Sequence, residues 1–236
     1  MKSISYAIPV CNEIAEIKRL AEFLVKNKQS KDEIVILVDE TNHTQEVKDF
    51  VETFTEECSD QNVLRAYFPL DGDFASFKNH LSSLCSNEYI CQIDADEMIS
   101  TYLMDNIGLV LQYNPIDMIR IPRINTVKGL TQEHIKKWGW RVDEHGRVNF
   151  PDFQTRIYRN DPEIKWHGKV HEVIKGTKSE SFLPLEDPWC LLHEKSINRQ
   201  EQQSELNAEL EDSIIQQIDY KKTQGTVVDV QIEFNT

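Results

Sequence analysis

The sequence predicts an α/β protein: a mostly parallel sheet with helices on both faces, followed by a C-terminal helical extension. Three observations predict it. Strand-like and helix-like segments alternate through the first half, the order that builds a parallel sheet. Ile34-Val35-Ile36-Leu37-Val38 is apolar at every position, as a strand covered on both sides must be. The chain has 236 residues, 39% apolar and 28% charged, enough for one large domain with an appendage.

Each element follows from its local pattern. Ile4 to Val10 is a short apolar strand containing Pro9 near its end. Asn12 is placed to cap a helix whose apolar residues Ile14, Ile17, Leu20, Leu24 and Val25 recur at helical spacing. The Ile34 run is the second strand, Val47 to Phe54 a helix and Val63 to Phe68 the third strand. Phe74, Phe77, Leu81 and Leu84 mark a helix, Tyr89 to Ile93 a strand, Leu103 to Leu111 a helix and Met118 to Ile121 a strand. From Thr126 the pattern changes. Lys128 to Asn149 is a polar insert around Trp138-Gly139-Trp140, and long inserts of this kind tend to carry function. Thr155 to Arg159 alternates like an edge strand. Glu201 to Tyr220 is expected as a helix, with Leu206, Leu210, Ile214 and Ile218 as a packing face or a homodimer seam, and Thr226 to Phe234 as a final strand.

Forty acidic against 26 basic side chains give a formal charge of −14. That excludes general affinity for nucleic-acid backbones or anionic lipid as the main activity, though not a local basic patch. Five cysteines without C-x-x-C spacing suggest reduced thiols rather than a zinc or redox motif. No apolar h-region opens the chain and no stretch nears about 18 apolar residues, so a cytoplasmic location is expected.

Ligands of open α/β sheets bind beyond the carboxyl ends of the strands. There the sequence places acidic and amide groups three times: Asn12-Glu13, Asp39-Glu40 and Asp94-Ala95-Asp96-Glu97. Like charges packed at a strand end need neutralising, and a hard divalent cation with oxygen ligands would do it. Each group alone could be a helix cap or a turn. Together they point to a site.

Ile8-Pro9-Val10-Cys11-Asn12-Glu13, Val38-Asp39-Glu40, Lys78-Asn79 and Asp94-Ala95-Asp96 resemble, in order and spacing, motifs of the family 2 glycosyltransferases. The resemblance covers about residues 3–200. It implies a GT-A fold, with a glycosyltransferase domain at 1–195 and an extension at 196–236. Within that domain, 1–122 would bind nucleotide sugar and metal, and 123–195 would form the acceptor side. Pro9, Asn12, Glu13, Asp39, Lys78, Asn79, Asp94 and Ala95 would contact a nucleotide-diphosphate sugar, a UDP-sugar being the expectation. Asp94 and Asp96 would hold Mn²⁺ or Mg²⁺. His193, in Leu191-Leu192-His193-Glu194, resembles a further metal ligand of such enzymes. Thr41-Asn42 departs from the usual glycine and serine, and Lys78 replaces an arginine that would bind bidentately.

Gly168-Lys169-Val170-His171-Glu172 resembles a Gly-x-Val-His-Glu segment of a subgroup that decorates peptides and lipopolysaccharide cores. It implies Glu172 as the base that deprotonates the acceptor, with Asp152 as its rival. Trp138, Trp140, Trp166 and His171 would lie on the acceptor side, where indoles can stack on sugars. The implied activity is an inverting hexosyl transfer to a carbohydrate, peptide, small molecule or modified DNA base. Two other readings stand beside it. A sugar nucleotidyltransferase would need a glycine-rich loop that Cys11-Asn12-Glu13 lacks. A non-catalytic carbohydrate or nucleotide-sugar module would not need Asp94-Ala95-Asp96.

Overall fold

The structure, a computed structural model, describes residues 1–201. Its centre is a nine-stranded mixed sheet. Strands β1 (Ile4–Val10), β2 (Glu33–Asp39), β3 (Val63–Phe68) and β4 (Tyr89–Gln92) run parallel in the spatial order β3-β2-β1-β4. The sheet continues through β7 (Val148–Arg159), β6 (Met118–Lys128), β11 (Leu191–Ser196) and the two-residue β5 (Glu97–Met98). β10 (Glu180–Phe182) pairs with the first part of β6. A separate antiparallel hairpin joins β8 (Lys165–His167) to β9 (Val173–Lys175).

Alternation along the strands divides the core between two faces. Ile4, Tyr6, Ile8 and Val10 of β1 and Ile34, Ile36 and Val38 of β2 point to one face. That face is covered by α1 (Ile14–Asn27), α2 (Gln45–Glu57) and α4 (Thr101–Tyr113). In α1, Ile17, Leu20, Ala21 and Leu24 are fully buried at the three- and four-residue spacing of a single helix face. Ala7, Val35 and Leu37 point to the other face, under α3 (Phe74–Ser83) and the β8–β9 hairpin. The hairpin seats closely: a Cβ on Gly176, at φ +92°, would come 1.9 Å from the Glu163 carbonyl oxygen. Pro9 is tolerated inside β1 because pairing with β4 ends at Ala7–Gln92, so the missing N–H of Pro9 faces a strand that has already turned away.

Three expectations change. Thr155 to Arg159 belongs to a longer strand, β7, that is internal rather than at an edge, held between β4 and β6. Its polar positions face a cleft and not open solvent. Asn12 does not cap α1: Glu13 occupies the cap position without a side-chain capping bond, and Asn12 is exposed. The 128–149 insert is not an unstructured loop, since it contains α5 (Gln132–Trp138), capped by Thr131, and a bridge between Val142 and Val148. The expected helix 201–220, its dimer seam and the strand 226–234 lie outside the described residues, apart from Glu201. Among the described residues no helix is long and apolar enough to cross a membrane, and no cysteine is in a disulfide.

Candidate active site

Where β4 ends, the chain crosses to β5, and β5 pairs antiparallel with β11 so that His193 stands opposite Glu97. This register gathers Asp94, Asp96, Glu97 and His193 at one sheet edge. Two of these carboxylates, Glu97 and Asp94, meet arginines of the neighbouring strands. Glu97, fully buried, takes Arg156 Nε at 2.8 Å and Nη2 at 2.7 Å, and Arg123 Nη1 at 2.9 Å. Arg156 Nη2 also pairs with Asp94. Burial raises the Asp94 pKa, but Arg156 and Lys78 outweigh it and hold the carboxyl below its ordinary value. Arg123 and Arg156 are the site residues the sequence reading missed. Their signal was Arg123 between the buried Pro122 and Ile124 on β6, and Arg156 directly before the buried Ile157-Tyr158 on β7.

Asp96 stands apart from that network. His193 Nε2 approaches its Oδ2 at 3.3 Å, and Arg199 comes within 3.8 Å. Burial works against ionisation, yet the His193 contact and the charges of Lys195 and Arg199 hold the Asp96 carboxyl well below its usual range. On the other side of the imidazole, Nδ1 is 2.7 Å from Asn125 Oδ1. Asn125 Nδ2 donates to Asp152, so Oδ1 is an acceptor and Nδ1 carries the proton. Nε2 therefore meets the carboxylate as an imidazolium N–H or as a lone pair beside a cation. Two ligands about 2.1 Å from one octahedral ion, at right angles, stand about 3 Å apart. One carboxylate and one imidazole suit Mn²⁺ better than Mg²⁺. Among the described residues no three acidic, histidine or cysteine side chains converge on one point.

The nucleotide-side motifs mostly organise their own loops. The Asp39 carboxylate accepts the backbone N–H groups of Thr41 and Leu70, at 3.0 and 3.2 Å, and the Asn42 side-chain amide at 3.0 Å. It is buried, and in spite of that burial these bonds lower its pKa. Glu13 Oε2 accepts the N–H groups of Cys11 and Asn12, and its Oε1 meets Arg199 at 3.3 Å. Burial and the Asp39 charge push the Cys11 thiol up to about 12, so it stays protonated. Ala95 is buried and Pro9 half-buried.

Lys78 and Asn79 both reach the β8–β9 hairpin. Asn79 Nδ2 donates to the Trp166 carbonyl at 2.8 Å, and Asn79 Oδ1 accepts the Trp166 N–H at 2.9 Å. Lys78, itself buried, pairs with Glu172 and lies 4.5 Å from the Trp166 ring centroid. The Trp166 indole packs against Tyr158 in the core and donates to its hydroxyl at 3.2 Å. It is buried, and lines a cavity together with Lys78 and Glu172. His171, just before Glu172, adopts a left-handed φ of +56°, a strained backbone of the kind found at functional loops.

Two cavities flank these groups. One, about 280 Å³, is lined by Lys78, Asp94, Arg156, Glu172 and Val173 among others. The other, about 370 Å³, is lined by Asp152, His193, Lys195, Trp140 and Asn149 among others. Arg123 and Phe153 line both. Asp152 has both oxygens engaged: Oδ2 accepts Arg123 Nε, Arg123 Nη2 and Asn125, and Oδ1 accepts Gln154. Burial opposes its ionisation, but Arg123 and these bonds lower its pKa, which makes it a weak base. Trp138 stacks between His134 and Trp140, with centroids 5.5 and 4.7 Å away.

The fold matches solved structures of S. aureus TarS residues 1–349, alone and in complex with UDP or UDP-GlcNAc. In the first two the TM-score is 0.58 at 16% identity, over 82% of this chain. The UDP-GlcNAc complex gives 0.57 over 83%. This chain spans about 60% of the length of those structures, and the likeness establishes the GT-A fold. No curated protein matches the sequence. The Glycosyl transferase family 2 model matches residues 5–165, most of the described chain and every strand from β1 to β7, so this protein belongs to glycosyl transferase family 2.

Proposed function

We propose that the protein transfers a hexosyl group from a UDP-sugar to an acceptor hydroxyl, with inversion at the anomeric carbon. The observation that carries this reading is the Asp96–His193 contact at the sheet edge, beside a cavity holding Asp94 and Glu172. The UDP and UDP-GlcNAc complexes of TarS support the choice of donor.

Asp96 and His193 would hold Mn²⁺ or Mg²⁺. When bound, that ion supplies Lewis-acid stabilisation of charge on the leaving diphosphate. Asn125 keeps the His193 proton on Nδ1, leaving Nε2 available as a ligand. Arg199 and Lys195 add positive charge beside Asp96, where the diphosphate would lie. Glu172 takes the acceptor proton, and Lys78 orients its carboxylate for that transfer. Asp39 and Glu13 shape the loops that receive base and ribose. Trp138 and Trp140 give the insert an aromatic face toward a carbohydrate, peptide or small-molecule acceptor.

A thermal-shift panel of nucleotide sugars with Mn²⁺ tests the reading. A ligand at 100 times its dissociation constant adds about 2.7 kcal/mol of stability. UDP-sugars should raise the midpoint with Mn²⁺ and much less with EDTA. No shift with any nucleotide sugar would overturn the proposal.

A further inference from the structure

The β8–β9 hairpin carries a charge pattern that sugar transfer itself does not use. In a chain of formal charge −14, Lys165, Lys169, Lys175 and Lys178 fall close together, and all four are exposed. Among the described residues none of their ammonium groups has a carboxylate partner; Glu172, which lies between them in the sequence, is engaged by Lys78, and Glu180 by Arg120. The register sharpens the point. Lys165 stands directly opposite Lys175 across the antiparallel pair, and His167 opposite Val173. Trp166 and Ile174 fill the inward side, against the core under α3, so the outward side presents Lys165, His167, Val173 and Lys175. Like charges facing each other destabilise a strand pair, and a two-stranded hairpin has little stability to spare. Nothing in the fold requires either lysine. The same strand leads into Glu172, Val173 and Ile174, which line the 280 Å³ cavity together with Arg120.

We propose that this outward face docks an acceptor bearing repeated anionic groups, phosphate or carboxylate, and delivers its hydroxyl to the cavity beside Glu172. The inference rests on the transfer reading above for the role of that cavity. The face suits a soluble polyanion better than a membrane. Val173 is its one apolar side chain, too little to enter a bilayer. Four unpaired lysines attract a chain of anions from a distance and hold it by releasing counterions.

Inorganic polyphosphate serves as the probe, with vesicles of equal phosphatidylglycerol and phosphatidylcholine as the second arm. The wild type should bind polyphosphate with affinity that falls steeply with salt. Lys165→Gln with Lys175→Gln should lower the log–log salt slope by about 1.4, roughly 0.7 for each lost contact. Lys175→Glu keeps the variant folded by design, since it sets a carboxylate opposite Lys165. Its thermal midpoint should hold or rise while polyphosphate binding falls by about tenfold or more. Acceptor-free hydrolysis of the donor should be unchanged in both variants. The proposal is overturned if the wild type fails to bind polyphosphate, if the variants bind it with the wild-type slope, or if only the vesicles bind. Polyphosphate binding lost in the variants, in a protein that no nucleotide sugar stabilises, would support the docking face and overturn the transfer reading instead.

Discussion

His193 Nε2 lies 3.3 Å from Asp96 Oδ2, although the two residues are 97 positions apart in the chain. The pairing of β5 with β11 makes that approach, and it yields the first prediction. Asp96→Asn should fold, because Asp96 lies outside the Glu97–arginine network, but with a lowered thermal midpoint in EDTA, because it removes the carboxylate that His193, Lys195 and Arg199 hold ionised. The variant should lose the extra stabilisation that Mn²⁺ gives to donor binding. Isothermal titration with UDP-sugar, with and without Mn²⁺, measures this. Wild-type turnover by the variant in EDTA would remove the metal from the mechanism.

Glu172→Gln should lower kcat by about 10²–10⁴-fold, the usual cost of losing a general base. The donor dissociation constant should hardly change, since the base meets the acceptor. Asp152→Asn should cost less in kcat, because Asp152 is already committed to Arg123, Asn125 and Gln154. The reverse ranking would transfer the role to Asp152.

Arg156 is a structural cation at a functional edge. Arg156→Met leaves the buried Glu97 with Arg123 alone and weakens the hold on Asp94, so it should cost about 3–5 kcal/mol in urea unfolding. Arg156→Lys should recover only part of that, since an ammonium cannot reproduce the two-nitrogen contact with Glu97.

Acid should attack the same edge. Asp94, Asp96 and Asp152 have pKa values held below the ordinary carboxylate value, so the folded state binds fewer protons there than the unfolded chain. Their contribution is complete above the ordinary value of about 3.9 and is lost as pH falls below it toward the depressed folded values. Stability should therefore be flat through the neutral range with respect to these groups and fall below about pH 4. Asp152→Asn should make that fall shallower; an unchanged acid limb would contradict the assignment.

Much of residues 1–122 was legible in the sequence. There apolar periodicity and strand order agree, and the strand ends converge as the sheet topology requires. Residues 123–195 were less so. The polar positions of β7 look like solvent-facing alternation, but Gln154 and Arg156 face an internal cleft, a distinction that needs the neighbouring strands. Nothing local in the sequence showed that Glu97 and Asp94 would meet arginines about 25 and 60 residues downstream, on β6 and β7. Nor did anything local show that the Asn79 amide would reach the backbone of Trp166.

That last contact has a mechanical consequence. A carboxamide offers the same donor and acceptor as a peptide group, so Asn79 acts toward Trp166 as a third strand would, across 87 residues of sequence. Phe74 N–H adds a second tie, to the Lys169 carbonyl. The hairpin should therefore open only when α3 opens, as one cooperative unit. In native-state hydrogen exchange the Trp166 amide should then be as slow as the interior amides of α3, and Asn79→Ala should uncouple the two.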